Sequence, residues 1–545
     1  MRQRGSWSKA RAVRAAVAAL TAALLASTFP AGAASEAQQS FRDAIRRRPV
    51  FNQPKPLPAA YRMSRERLAA VRDAVFRQLD YVPGEVIVKF RDGVSTEGQA
   101  RALGVLRSRP SVGSLRWIGD AAVLQDLTQP DAVQMARQLA DQPEVEYAHP
   151  NHFLRLGPAS LDLSSPVEVT RTPTDPSYAG KQWNYPAVGF PAAWDINDGA
   201  DPNVTIAIVD SGLTTQSYSL TADIWTGSDF EELTLPFGPN PDMSPSRIVS
   251  PFDFALFAAG GPVLDLDGHG SHVAGTAGQQ SNNGIGLAGA AYNARIMPVK
   301  VCLGYWDLMI LQGAFGDPGF LPPDISVCTF SDVAAGIRYA ADSGADVINF
   351  SLGGPSPAPV LRDAIQYAVS TGAFVSISMG NEFDSGNTTS YPAAYAASID
   401  GAMAVAAVGR SLTRAFYSNT GAHAEIAAPG GSSLDGGFDG LVHQVTLGSP
   451  SSPLLLVPVF DRWFEVGFQG TSMASPHVAG AAALVVSQMP GVTPAQIETI
   501  LRMTARPCST TSCSVGVGMQ GSRTNEFGYG LVQPRAALFG RGIAR

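Results

Sequence analysis

The chain predicts an α/β fold, a mostly parallel sheet with helices on both faces, preceded by a small α+β domain. Three observations carry this. From residue 182 to 536, apolar runs such as VTIAIVD, ARIMPVKV, ADVINF, AFVSIS and AMAVAAV alternate with helical segments such as VAAGIRYAADSG and LRDAIQYAVSTG. Strands buried on both faces read as unbroken apolar runs, the mark of a parallel sheet between helix layers. Residues 469–489, QGTSMASPHVAGAAALVVSQM, are small or apolar at nearly every position past Ala474, so a helix there is apolar all round and belongs in a core. Between residues 82 and 156, GEVIVKF, AAVLQDL and VEYAHPNHFLRL read as strands and ARALGVL and AVQMARQLADQ as helices, a separate unit.

In chain order, Arg2, Arg4, Lys9, Arg11 and Arg14 precede the apolar run AAVAALTAALLASTF and the small residues Ala31-Gly32-Ala33, the order of a secretory signal peptide over 1–33. The run is too short to favour a membrane anchor, and the expected protein is secreted and extracellular. Residues 34–80 form an Arg-rich N-terminal pro-segment whose end, SRERLAAVRDAVFRQLD, has helical spacing. The α+β unit spans 81–156, and the Pro-, Ser- and Thr-rich 157–176 reads as a linker. The catalytic-size domain fills 177–545. Near its end, TPAQIETILRMTA opens on a Thr cap and a Pro at the first helical position.

Of 545 residues 45% are hydrophobic and 16% charged, with 55 Gly and 40 Pro, which suits a large, loop-rich globular enzyme. The net charge of −7 hides an asymmetry: residues 1–80 carry 15 Lys/Arg against 5 Asp/Glu, whereas residues from 157 onward carry 16 against 32. Such a body lacks the basic stripe of a nucleic-acid-binding protein and suits solubility outside a cell.

Asp210 closes the strand VTIAIVD at its carboxyl end, where ligands sit in folds of this class. Alone it is as well explained by turn chemistry before Ser-Gly. His269 lies in DLDGHGSHVAGTAG, with Gly268 and Gly270 leaving room around it and a helix following at once. Ser472 stands where the apolar helix begins, and an isolated Ser there usually caps. Together the three supply a nucleophile, a base and a group that orients the base. A helix N-terminus also favours an anion forming beside Ser472. The order Asp, His, Ser separates this set from chymotrypsin-like and α/β-hydrolase arrangements, and no G-x-S-x-G elbow is present.

The motifs VDSGL, HGSHVAGT, SLGG, GNE and GTSMASPHVAG, in this order, resemble the subtilisin family of serine endopeptidases over residues 182–537. The resemblance implies that Asp210, His269 and Ser472 are the catalytic triad of an enzyme hydrolysing polypeptides through an acyl-enzyme. Asn381, after the strand AFVSIS, would be the oxyanion-hole amide. Loss of such a donor costs ~10²–10³ in rate, a figure known from subtilisin itself and carried over here. Ser351, Leu352, Gly353 and Gly354 would pair with substrate backbone. Residues 81–156 resemble the family's inhibitory propeptide, with NHFLRL lying across the active site until the linker is cut, and a broad apolar or aromatic P1 preference is implied. No cofactor is required for the chemistry. Residues 282–287, NNGIGL, resemble a family calcium loop, with Asp175 and Asp223 as candidate carboxylates, although the same residue types form turns equally well.

The departures are insertions, at 231–261, 304–324 and 431–468, where unpatterned loops are expected to face substrate or move. Met379 beside Asn381 and Gln469 before Gly470 are milder ones. Four Cys in an exported chain suggest two disulfides. Three pairings are possible, of which Cys508–Cys513 would clip a small loop and Cys302–Cys328 would close the second insertion. Two rival readings remain. Asp265, Asp267, His269 and His272 could form a metal cluster, but that leaves Ser472 and Asn381 idle. A catalytically silent secreted scaffold or adhesin would have no need of all four residues.

Overall fold

The structure, a computed structural model, describes residues 63–156, 173–257, 262–319, 321–322, 325–447, 460–514 and 522–539. The expected signal peptide, most of the pro-segment and most of the linker lie outside these. Helix α1 (Arg65–Phe76) starts at Ser64, whose Oγ accepts the Arg67 N–H at 3.1 Å, a side-chain cap satisfying one orphan donor. The α+β unit follows: β1 (Tyr81–Phe90), α2 (Thr96–Leu103), β2 (Arg116–Ile118), β3 (Ala121–Gln125), α3 (Ala132–Ala140) and β4 (Val145–Leu156). Its strands lie antiparallel in the order β4-β1-β3-β2. Alternation sorts β1: Val86 and Val88 pack with Leu103, Met135 and Leu139 of the helices, while Ile87 joins the apolar cluster of the larger unit. Both faces of this small sheet are therefore covered.

The larger unit is built on a seven-stranded parallel sheet, ordered β16-β15-β14-β12-β5-β9-β8. Its strands are β5 (Thr205–Asp210), β8 (Phe252–Asp253), β9 (Arg295–Lys300), β12 (Val347–Phe350), β14 (Phe374–Ser378), β15 (Ala402–Val408) and β16 (Ile426–Pro429). Strand β5 comes first in the chain yet lies inside the sheet, between β9 and β12, so strand order reverses there. That reversal opens a crevice at the strands' carboxyl ends, and Asp210 stands at its rim. Helix α4 (His269–Gly278) precedes β9. Helices α6 (Phe330–Asp342) and α7 (Pro359–Ser370) flank β12, and α8 (Thr471–Gln488) runs against β12, β14, β15 and β16. Every residue of α8 from Thr471 to Val485 is buried, as the apolar run predicts. Helix α9 (Pro494–Thr504) begins with the expected Thr493 cap, paired reciprocally with Gln496. Among the described residues, no helix is long and apolar enough to cross a membrane.

The described parts of the insertions carry regular structure. Hairpin β6–β7 (Tyr218–Trp225 and Phe230–Phe237), helix α5 (Tyr305–Phe315) and hairpin β17–β18 (Val442–Leu447 and Trp463–Phe468) occupy them or their flanks. Leu220, Phe237, Trp306, Leu308 and Phe460 meet in one apolar cluster, with Phe237 stacked on Phe460 at 4.8 Å. Strands β10 (Cys302–Gly304) and β11 (Ser326–Thr329) pair on either side of α5, and the Cys302–Cys328 disulfide closes this loop, with Cys508–Cys513 clipping the other.

Strand β4 is shared between the units. Past the small sheet, Phe153 and Leu154 pair antiparallel with Thr329 and Cys328 of β11, and Arg155 and Leu156 pair antiparallel with Gly353 and Leu352 of β13 (Leu352–Gly353). The end of the α+β unit thus lies as an added strand between two strands of the larger one, with Leu154 fully buried.

Candidate active site

Asp210 at the end of β5 and His269 at the start of α4 meet directly, and Ser472 lies in the first turn of α8, which packs against both elements; each of the three is at most 3% exposed. His269 Nδ1 and Asp210 Oδ1 are 2.7 Å apart, and the same oxygen accepts the Ser211 N–H at 2.7 Å. Helix α4 comes this close to the β5 end because residue 270 is glycine: a Cβ there would fall 2.3 Å from Gly212 O. Burial opposes the imidazolium, but the charge and hydrogen bond of Asp210, with Asp267 and Asp265 behind it, hold His269 above its ordinary value. Nε2 of His269 has no hydrogen-bond partner among the described residues.

Ser472 Oγ donates instead to Ser351 O at 3.1 Å. The reason for this coupling lies one turn on. Pro476 lacks the N–H that would bond the Ser472 carbonyl within α8, and Ser351 Oγ donates to that carbonyl at 2.8 Å, itself accepting from Asn349 Nδ2 at 2.9 Å. The proline tolerated by the helix thereby frees an acceptor that ties the Ser472 turn to the 351–354 segment. Gly354 continues this wall, and a Cβ there would meet Phe153 O at 3.1 Å.

Asn381 sits beside the start of α8. Its Oδ1 accepts from Thr471 N at 2.9 Å and Thr471 Oγ1 at 3.0 Å, which turns Nδ2 toward Gly470, where a Cβ would stand 3.8 Å away. Thr471 Oγ1 also accepts the Gly380 N–H at 3.1 Å. Asn419 grips the far side of this loop through Glu382. Thr471, Asn349 and Asn419 are supports the sequence did not single out; only Thr471, adjacent to Ser472, carried a local signal.

The proposed metal cluster disperses. Asp265 is spent on backbone and hydroxyl donors around Ser211, Asp267, Gly268 and Ser271. His272 faces Val442 O and Val466 O at 2.9 and 3.2 Å and stacks on Phe468, burial pulling it down to about 3. It anchors hairpin β17–β18.

Asp175 does lie at the 282–287 loop, accepting N–H bonds from Asn282 and Asn283 at 3.0 and 3.3 Å. Asp223 does not: it is on β6 opposite Glu232. The second carboxylate at the loop is Asp242, bonded to Asn283 Nδ2 at 2.7 Å and Leu287 N at 3.0 Å. Burial, opposed by these donors and assisted by the charge of Asp175, pushes Asp242 up to about 7. Two desolvated carboxylates side by side fit a cation-binding loop.

A family model described as "Subtilase family" matches residues 201–530, and one described as "Fervidolysin N-terminal prodomain" matches residues 72–151. The chain is 32% identical over 431 residues to a thermophilic serine proteinase of Bacillus sp. (strain AK1), covering 79% of this chain and 84% of that protein. It is 33% identical over 400 residues to an extracellular protease of Xanthomonas campestris pv. campestris, covering 72% of this chain and 60% of that longer protein. The crystal structure of fervidolysin from Fervidobacterium pennivorans, described as a keratinolytic enzyme related to subtilisin, matches in fold with a TM-score of 0.60 at 22% identity, covering 85% of this chain and 62% of that one.

Proposed function

The chain belongs to the subtilase family of serine proteases and carries a fervidolysin-like prodomain, and from this premise we propose that Asp210, His269 and Ser472 hydrolyse peptide bonds in proteins through an acyl-enzyme. The observation that carries the assignment is the 2.7 Å contact between His269 Nδ1 and Asp210 Oδ1 at the mouth of the strand-order reversal. This bond fixes the tautomer that leaves Nε2 as the acceptor. Rotation of Ser472 Oγ from Ser351 O to Nε2 lets His269 take its proton as Oγ attacks the scissile carbonyl. His269 then returns the proton to the leaving amine, and a water repeats the cycle on the ester. The oxyanion would be met by Asn381 Nδ2 and the Ser472 N–H at the positive end of α8.

Residues 351–354 would hold substrate as β4 is held now, by main-chain pairing with Leu352 and Gly353. The same pairing supports a self-inhibited zymogen, since residues 153–156 fill the strand position that a substrate needs. Cutting in 157–176 would convert this strand into a product awaiting release. The signal-like N-terminus, and a relative named as an extracellular protease, support secretion. Calcium, where bound, would be held by Asp175 and Asp242 with oxygens of the 282–287 loop, and would neutralise buried charge and stiffen the loop; it takes no part in peptide hydrolysis.

Labelling of the processed protein by a serine-directed phosphonate tests the assignment. The expected adduct is on Ser472; an unlabelled Ser472 in processed, folded protein would refute it.

A further inference from the structure

Helix α5 is buried from Trp306 to Gly313, and two of its covers come from outside its own disulfide-closed loop. On one side lies β6, so close that a Cβ at Gly313 would fall 1.2 Å from Asp223 O. Against α5 also lies α1, which comes from upstream of the α+β unit. Leu68, Val71 and Ala74, spaced three apart and each at most 1% exposed, enter the same apolar cluster as Trp306, Leu308 and Met309; this spacing places them along one helix face. Arginines flank the stripe. Arg72 pairs with Asp317, just past the end of α5. Arg67 Nε pairs with Glu85 of β1 at 2.9 Å, while its Nη2 reaches Thr329 at 3.4 Å and Asp332 at 3.5 Å in the larger unit. The prodomain match begins at residue 72, so Arg67, Leu68 and Val71 lie outside it.

We propose that the α5 insertion is an exosite for an amphipathic helix with arginines beside its apolar stripe, and that α1 is its occupant in the precursor. It holds the prodomain on the enzyme at a second point, away from the strand in the cleft. The proposal rests on the reading of residues 81–156 as an inhibitor. Two contacts made by one folded body reinforce each other, because with one engaged the other rebinds at high effective concentration. Departure of α1 uncovers an apolar face of α5, and exposed patches of that kind mark binding surfaces. The insertion therefore controls how long the enzyme stays silent after its first cut.

The test follows the full-length chain through maturation, recording the first cleavage by mass and activity by hydrolysis of a chromogenic peptide. Wild type shows a lag between the two events. Val71→Asp, which puts a carboxylate in the apolar contact, leaves the first cleavage rate unchanged and shortens the lag at least about tenfold. Arg72→Asp and Asp317→Arg, at a partly exposed pair, each shorten it about two- to fivefold, and the two together restore it. A lag that is the same in all variants, or is not restored in the double reversal, overturns the exosite and leaves the inhibitor reading intact. Absence of any lag in wild type overturns the inhibitor reading itself and the exosite's role with it.

Discussion

Replacement of Asp265 by Asn should disable the site without touching any reacting group. Five hydrogen bonds converge on its carboxylate. Oδ1 accepts from Ser211 Oγ at 3.0 Å, Asp267 N at 3.0 Å and Gly268 N at 2.9 Å, and Oδ2 accepts from Ser271 N at 2.9 Å and Ser271 Oγ at 2.6 Å. The set ties the loop after Asp210 to the first turn of the helix that bears His269. An amide offers one acceptor oxygen and an NH2 in place of the other; a Ser hydroxyl can turn to accept from that NH2 but a backbone N–H cannot, so in either orientation at least one bond is lost and N–H is forced against N–H. At ~1.5–3 kcal/mol for a bond to a charged group, the cost is roughly 2 kcal/mol or more. A shift of the imidazole by about 1 Å costs on the order of 10² in rate, so kcat/KM should fall about a hundredfold, mainly in kcat. The charge of Asp265 also helps hold His269 above its ordinary value. The base must be neutral, so activity is lost as pH falls through that raised pKa, and in Asp265→Asn this acid limb should move to lower pH. The assay is peptide hydrolysis across pH beside thermal unfolding. A variant with lowered Tm but wild-type kcat/KM and an unshifted limb would refute the positioning role.

Two further outcomes follow from the same geometry. Asn381→Ala should lower kcat by about 10²–10³ with little change in KM, because in the proposed mechanism its Nδ2 meets charge that appears only in the transition state; steady-state kinetics decide. Asp242, raised to about 7 in the fold, binds a proton that the unfolded chain has released, so without a cation its contribution to stability is present below its unfolded pKa and is lost as pH rises toward 7. Calcium held there as proposed would compete with that proton, so the rise in Tm on adding calcium should be larger at pH 8 than at pH 5, and Asp242→Asn should shrink the difference.

Most of the frame was legible because its signals are local. Unbroken apolar strands specify parallel neighbours wherever they fall, and Asp210 and Ser472 stand at boundaries where a strand ends or a helix starts. Helix α5 was missed for a physical reason: YWDLMILQGAF is apolar all round, so it has no stripe to betray a helix. Strand β7 and the β17–β18 hairpin likewise fall in segments whose sequence reads as loop, while β6 lies just ahead of the first of them. The sequence points to Asp223 and is silent on Asp242 as a loop carboxylate, because residue type alone does not reveal which distant turn folds back on Asn283. That NHFLRL lies across the site is implied by resemblance alone, and its pairing on both sides is not legible in the sequence, since partners such as Cys328 and Gly353 are far off along the chain.

The central claim is that this chain cuts itself, and others, with Ser472. Intact masses of the chain expressed as full precursor and of its Ser472→Ala variant, purified side by side, test it most directly. The account predicts that wild type loses everything up to the 157–176 region while Ser472→Ala keeps it. Two proteins cut alike, or both left whole, would contradict it.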